Sequence, residues 1–80
     1  MSTLAVKVEP MVVDVTCSSN ALRVILADGR EISVPLLWFP CLMNATPTQR
    51  DNWRLIGPGI GIHWEDVDED IAVETLLTLS

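Results

Sequence analysis

Two spacings of apolar residues divide the chain. In the first third, Val6, Val8, Met11, Val13 and Val15 are interleaved with polar residues, the period-2 signature of a strand. Pro10 shifts the alternation and predicts an edge position or a bulge there. Ser18-Ser19-Asn20 is a turn cluster. Leu22, Val24 and Leu26 then alternate with Arg23, Ile25 and Ala27 as a second strand. Asp28-Gly29 is the dipeptide that suits a two-residue type I′ hairpin. Glu31 to Val34 repeat the alternation as a third strand, which Pro35 ends. The prediction is an N-terminal β-meander.

After Pro35 the period changes. Leu36, Leu37, Trp38, Phe39, Leu42 and Met43 form a dense apolar cluster around Pro40, and a short helix beginning near Trp38 or Phe39 accommodates that proline in its first turn. Thr46-Pro47-Thr48-Gln49 has the capping-box form and predicts a helix running to about Leu55, stopped by Gly57-Pro58. Gly57, Gly59 and Gly61 lead into Ile62-His63-Trp64, read as a last strand. Ile71, Val73, Leu76, Leu77 and Leu79 have helical spacing, with Asp70 placed to cap that helix. The fold class expected is α+β: one small antiparallel sheet, made of the meander plus a later strand, with two or three short helices.

Size and charge narrow the function classes. With 80 residues the chain is expected to form one domain, residues 1–80, with a thin core. No apolar run approaches the ~20 residues of a membrane-spanning helix. Lys7 followed by Glu9 lacks the order of a signal peptide, so a cytoplasmic protein is expected. The net charge is −6, with acid concentrated in Glu65, Asp66, Asp68, Glu69, Asp70 and Glu74. Five basic residues are too few to neutralise a phosphate backbone, so direct nucleic-acid binding is not expected, whereas a basic protein partner is compatible with the charge.

The chemistry-bearing residues do not assemble into a known catalytic set. His63 is the sole histidine and shares a strand face with Glu65, so a histidine–carboxylate pair is available; a half-buried histidine bonded to a backbone carbonyl is the plainer reading. Cys17 and Cys41 lie in apolar segments without C-x-x-C spacing; one disulfide is possible on paper, and two free, protonated thiols are the plainer reading. The acidic run fails the EF-hand template, because the sixth residue from Asp66 is Ile71 rather than glycine. One histidine and two scattered cysteines do not supply a zinc set, and the glycines lack the Gly-Lys-Ser/Thr of a phosphate loop. Neither metal nor cofactor is expected. Trp38, Trp53 and Trp64 read either as core or as surface aromatics beside Arg50 and Arg54, which at i and i+4 share one face of the expected helix; equally, Arg50 or Arg54 could clamp the acidic run within the chain.

Several motifs together carry a resemblance: Asp28-Gly29-Arg30, Ile32-x-Val34-Pro35-Leu36-x-Trp38-Phe39-Pro40, Asn44-Ala45-Thr46-Pro47-x-Gln49-Arg50-x-Asn52-Trp53-Arg54, Gly57-x-Gly59-x-Gly61-Ile62-His63-Trp64 and Asp68-Glu69-Asp70-Ile71. From about Val13 to Leu77 the chain resembles a bacterial family catalogued as domain of unknown function 2442. The resemblance implies an α+β fold with an antiparallel sheet. It also implies short bacterial or phage-type proteins, some fused to a helix-turn-helix module and some encoded in a toxin–antitoxin-like arrangement. It carries over no catalytic residue. Ala72 departs from the serine usual at that place, a position that would cap the last helix.

The expectation is therefore a non-enzymatic protein-interaction module, antitoxin-like or regulatory. Its candidate contact residues are Arg50, Trp53, Arg54, His63 and Trp64, its partner is a protein (a basic one or a second copy), and it makes no membrane contact. Two alternatives stay open: a regulator acting through a DNA-binding partner, and a small enzyme using His63 with a carboxylate.

Overall fold

The computed structural model describes residues 10–79. Val6 and Val8 of the expected first strand lie outside them. The first sheet is an antiparallel meander of β1 (Val12–Cys17), β2 (Ala21–Leu26) and β3 (Glu31–Pro35), in that order. Leu22, Val24 and Leu26 on β2 and Ile32 and Val34 on β3 point into the core, as their alternation predicts.

β1 obeys a different rule. Val12 and Val15 are both buried while Val13 is exposed, which strict alternation forbids. A register shift between Val12 and Asp14 re-aims the strand and reconciles the two. The irregularity expected near Pro10 thus falls inside the strand. The β2–β3 turn also differs from expectation. The N–H of Gly29 bonds to the carbonyl of Leu26, and the N–H of Leu26 to the carbonyl of Arg30, which leaves three residues in the loop. Gly29 alone takes positive φ, at 92°, whereas a type I′ turn needs Asp28 there as well.

The middle of the chain is helical in short pieces. Residues 36–38 make one 3-10 turn. Helix α1 (Pro40–Met43) follows with Phe39 as N-cap and Pro40 in its first turn, and α2 (Pro47–Asp51) has the full capping box of Thr46 and Gln49. However, α2 ends at Asp51 rather than near Leu55. None of its residues is buried, so nothing rewards another turn, whereas Trp53 and Leu55 pack against the core as a strand. That strand, β4 (Trp53–Ile56), forms a hairpin with β5 (Gly61–Trp64).

The acidic run is likewise more ordered than a loop. Residues 65–67 make a 3-10 turn, and Asp68 adopts the left-handed conformation at φ 51°, open to an Asp at modest cost. The chain then returns as β6 (Glu69–Ala72). The expected single last strand is therefore the centre of a second antiparallel sheet, ordered β4-β5-β6. Asp70 lies within β6 and does not cap α3 (Val73–Leu79), whose first N–H bonds to the carbonyl of Ile60. Val73 and Leu76 anchor α3, and Leu77 packs at the rim. One apolar cluster joins both sheets, with Trp64 its largest fully buried side chain. The architecture is α+β.

Candidate functional site

Register decides what the outer face of the second sheet presents. Arg54 on β4 lies opposite His63 on β5, which lies opposite Asp70 on β6. The three side chains form one row across the sheet, and Glu65 reaches back over it from the following turn. The imidazole Nδ1 meets the Asp70 carboxylate, Nε2 lies 3.3 Å from Glu65 Oε2, and Arg54 Nη2 lies 3.4 Å from Glu65 Oε1. The pairing of His63 with Glu65 is as the strand face predicts; the partnership with Asp70 arises from the β5–β6 register, because Asp70 lies in a strand and not at a helix cap. The plainer reading, a histidine bonded to a backbone carbonyl, does not hold.

This geometry favours imidazolium. Hydrogen bonding to Asp70 first, and to Glu65 second, raises the His63 pKa above its ordinary 6.5, while His63 lowers that of Glu65 below 4.5. The His63 side chain is 12% exposed, and both of its nitrogens face carboxylates. The row is thus a charge-assisted bracket that ties β5, β6 and the 65–67 turn together.

Its contribution to stability has a defined sign. A raised histidine pKa stabilises fully below 6.5 and loses that contribution as pH climbs through the folded value. A lowered Glu65 pKa contributes above 4.5 and loses it as pH falls. Urea midpoints are expected to be highest between those values and to decline on the alkaline side. His63→Gln should flatten that alkaline decline; an unchanged slope in the variant would show that His63 does not cause it.

The remaining candidates separate. Arg50 donates from Nε to the Leu42 carbonyl at 2.8 Å and from Nη2 to the Met43 carbonyl at 2.7 Å, closing the C-terminal end of α1. Its own carbonyl accepts the Trp64 indole N–H at 3.0 Å. Arg50 is therefore a brace among α1, α2 and β5, and it does not share a helix face with Arg54, because Arg54 is on a strand. Trp53 is half-buried and Trp64 fully buried, so Trp64 supports the surface from beneath rather than contributing to it. Trp38 is the surface tryptophan.

Trp38 belongs to the apolar cluster around Pro40, which the fold divides between core and surface. Leu37 is 72% exposed, Trp38 47% and Met43 37%. From Ile32 to Gln49 no residue is charged, and Pro35, Pro40 and Cys41 are exposed in the same stretch. The three large side chains make an apolar ridge over the 3-10 turn and α1, while Leu36 and Leu42 beneath them hold those turns to the core. Cys17 and Cys41 are free; burial outweighs the nearby Arg50 guanidinium and pushes the Cys17 thiol up to about 11, far from a nucleophile's range.

Residues 12–80 match the family model described as protein of unknown function (DUF2442). The chain belongs to this family. The fold recurs in a crystal structure of a protein of unknown function from Rhodospirillum rubrum ATCC 11170, with a TM-score of 0.72 and 26% identity over 85% of this chain and 84% of that one. No curated protein matches. Within this DUF2442 chain the motif-bearing residues divide by role: Thr46 and Gln49 cap α2, Arg50 and Trp64 brace the interior, and His63 and Asp70 bracket two strands. Among the described residues no helix is long and apolar enough to cross a membrane.

Proposed function

We propose that this DUF2442 protein is a non-enzymatic protein-interaction module, of the antitoxin-like or regulatory kind, that binds through the ridge of Leu37, Trp38 and Met43. The exposure of that ridge carries the reading. Two of its members, Trp38 and Met43, are types enriched at interface cores, and the interface core is where charge is depleted, as it is from Ile32 to Gln49. A thin-cored chain that leaves three large apolar side chains in water gains by covering them. Of the candidate contact residues, Arg54 is exposed and Trp53 half-buried on β4, and His63 lies opposite Arg54 on the neighbouring strand.

An enzyme using His63 has less support. A general base needs a free lone pair aimed at a substrate proton, and both His63 nitrogens are committed to carboxylates. The thiol of Cys17 is held protonated.

The test is recovery of a partner from a bacterial host by the full chain as bait, repeated with Leu37→Ser plus Trp38→Ser and with Arg54→Ala. Both ridge positions are exposed, so folding measured by circular dichroism should be retained. Loss of a specific partner with the ridge variant and retention with Arg54→Ala is the expected outcome. Equal recovery by all three baits would remove the ridge from the interface.

A further inference from the structure

Asp28-Gly29 is the one place in the chain where an aspartate or asparagine precedes glycine. At such a pair the glycine nitrogen can attack the neighbouring side-chain carboxyl with no Cβ to crowd the approach. The surroundings leave that approach open. Residues 27–30 are all exposed. Gly29 has φ 92°, and a Cβ added to it would meet nothing within 4 Å. The Arg30 N–H donates to Asp28 Oδ1 at 3.1 Å, an Asx turn that folds the carboxyl back over the Gly29 peptide.

The same carboxyl is held by charge. Arg30 Nε lies 2.9 Å and Nη2 2.8 Å from Asp28 Oδ2. This fork keeps the group ionised: hydrogen bonding from Arg30 lowers the Asp28 pKa below its ordinary 3.8. A carboxylate is a poor electrophile, because it must take up a proton before one oxygen can leave as water. The Gly29 N–H is occupied as well, donating to the Leu26 carbonyl at 3.0 Å. Glu31, the next charge along the chain, pairs with Arg23 and so does not draw Arg30 away.

We infer that Asp28-Gly29 is an isoaspartate-forming site that Arg30 holds in check. The Gly29 nitrogen forms a bond to the protonated Asp28 carboxyl carbon. Its amide proton and the carboxyl hydroxyl leave together as water, and a succinimide ring results. Water then adds to the original main-chain carbonyl of Asp28 and breaks its bond to nitrogen, so the chain now runs through the side-chain carboxyl. Water is lost and regained, and nothing is oxidised or reduced. The new link puts an extra methylene into the loop between β2 and β3 and takes the carboxylate away from Arg30. Asp14 supplies a contrast within the molecule. Its Oδ1 accepts the N–H of Val15 at 2.9 Å, but the β-branched Val15 crowds the attack, and no isoaspartate is expected there.

The test ages the full chain in neutral buffer. Isoaspartate is read by enzymatic methylation with an isoaspartyl methyltransferase, and its position by fragmentation mass spectrometry. Arg30→Gln should accumulate isoaspartate at residue 28 about tenfold faster than wild type, and Arg30→Lys, which keeps the charge, should restore most of the protection. The dependence on pH separates charge from a loosened loop. The rate falls as the carboxyl ionises, and in Arg30→Gln that fall should move to higher pH. Equal rates in wild type and Arg30→Gln, a faster rate without the move in pH, or isoaspartate mapped to another residue would each overturn the inference. Ageing in urea serves if Arg30→Gln does not fold: wild type should form isoaspartate faster unfolded than folded, and equal rates in the two states would overturn the inference as well.

Discussion

Trp64→Ala is expected to cost about 3–5 kcal/mol and to leave little folded protein at 37 °C. Trp64 is the largest fully buried side chain, central in the second sheet and opposite both Trp53 and Glu69. Truncation opens a cavity where the β5 side chains meet the rest of the core. It also strands the carbonyl of Arg50, which now receives the indole N–H at 3.0 Å. Because Arg50 clamps the end of α1, the damage should reach the ridge through α2. Trp64→Phe separates the two contributions: it keeps an aromatic ring and loses the hydrogen bond, and should cost nearer 1–2 kcal/mol. Urea unfolding followed by far-UV circular dichroism measures both. A loss below about 1 kcal/mol for the alanine variant would mean that Trp64 does not anchor this core.

The sequence made some of this legible and hid the rest for identifiable reasons. Alternation located β2 and β3 because each has one buried and one solvated face. The capping box located the start of α2 because Thr46, Pro47 and Gln49 act locally. Its end was not local: helix propensity runs on past Asp51, and only the pairing of Trp53 with Trp64 shows that the chain gains more as a strand. β6 was hidden because Glu69 and Asp70 are poor strand formers, held there by the partner strand and by His63. In the site, the match of His63 with Glu65 followed from strand geometry, whereas Asp70 required the cross-strand register. Arg50 and Arg54 were grouped by a helical spacing that the fold does not use. The ridge was hidden in a different way. Its apolar residues looked like core, and the available signal was quantitative: one 3-10 turn and one turn of helix cannot bury six large side chains at once.

Gly59→Ala is expected to destabilise the protein by about 3 kcal/mol, more than any other glycine-to-alanine change in the two turns that carry positive φ. Two costs add at this position. Gly59 sits at φ 115°, where an L side chain costs roughly 1–2 kcal/mol. A Cβ there would also lie 2.5 Å from the Val12 carbonyl oxygen and 3.0 Å from the Val12 nitrogen. Those atoms are backbone and cannot rotate away, so the 57–60 turn must lift off β1. Lifting it breaks the bond from the Val12 N–H to the Gly59 carbonyl, now 2.8 Å, which is a direct tie between the second hairpin and the first sheet. Gly29→Ala is the internal control, since φ is 92° there and nothing lies within 4 Å of the added methyl. It should show the conformational cost alone, about 1 kcal/mol. The difference between the two urea midpoints therefore measures the clash, and amide exchange at Val12 should accelerate only in Gly59→Ala. If the two variants lose equal stability, the clash of the added methyl with the Val12 backbone contributes nothing measurable.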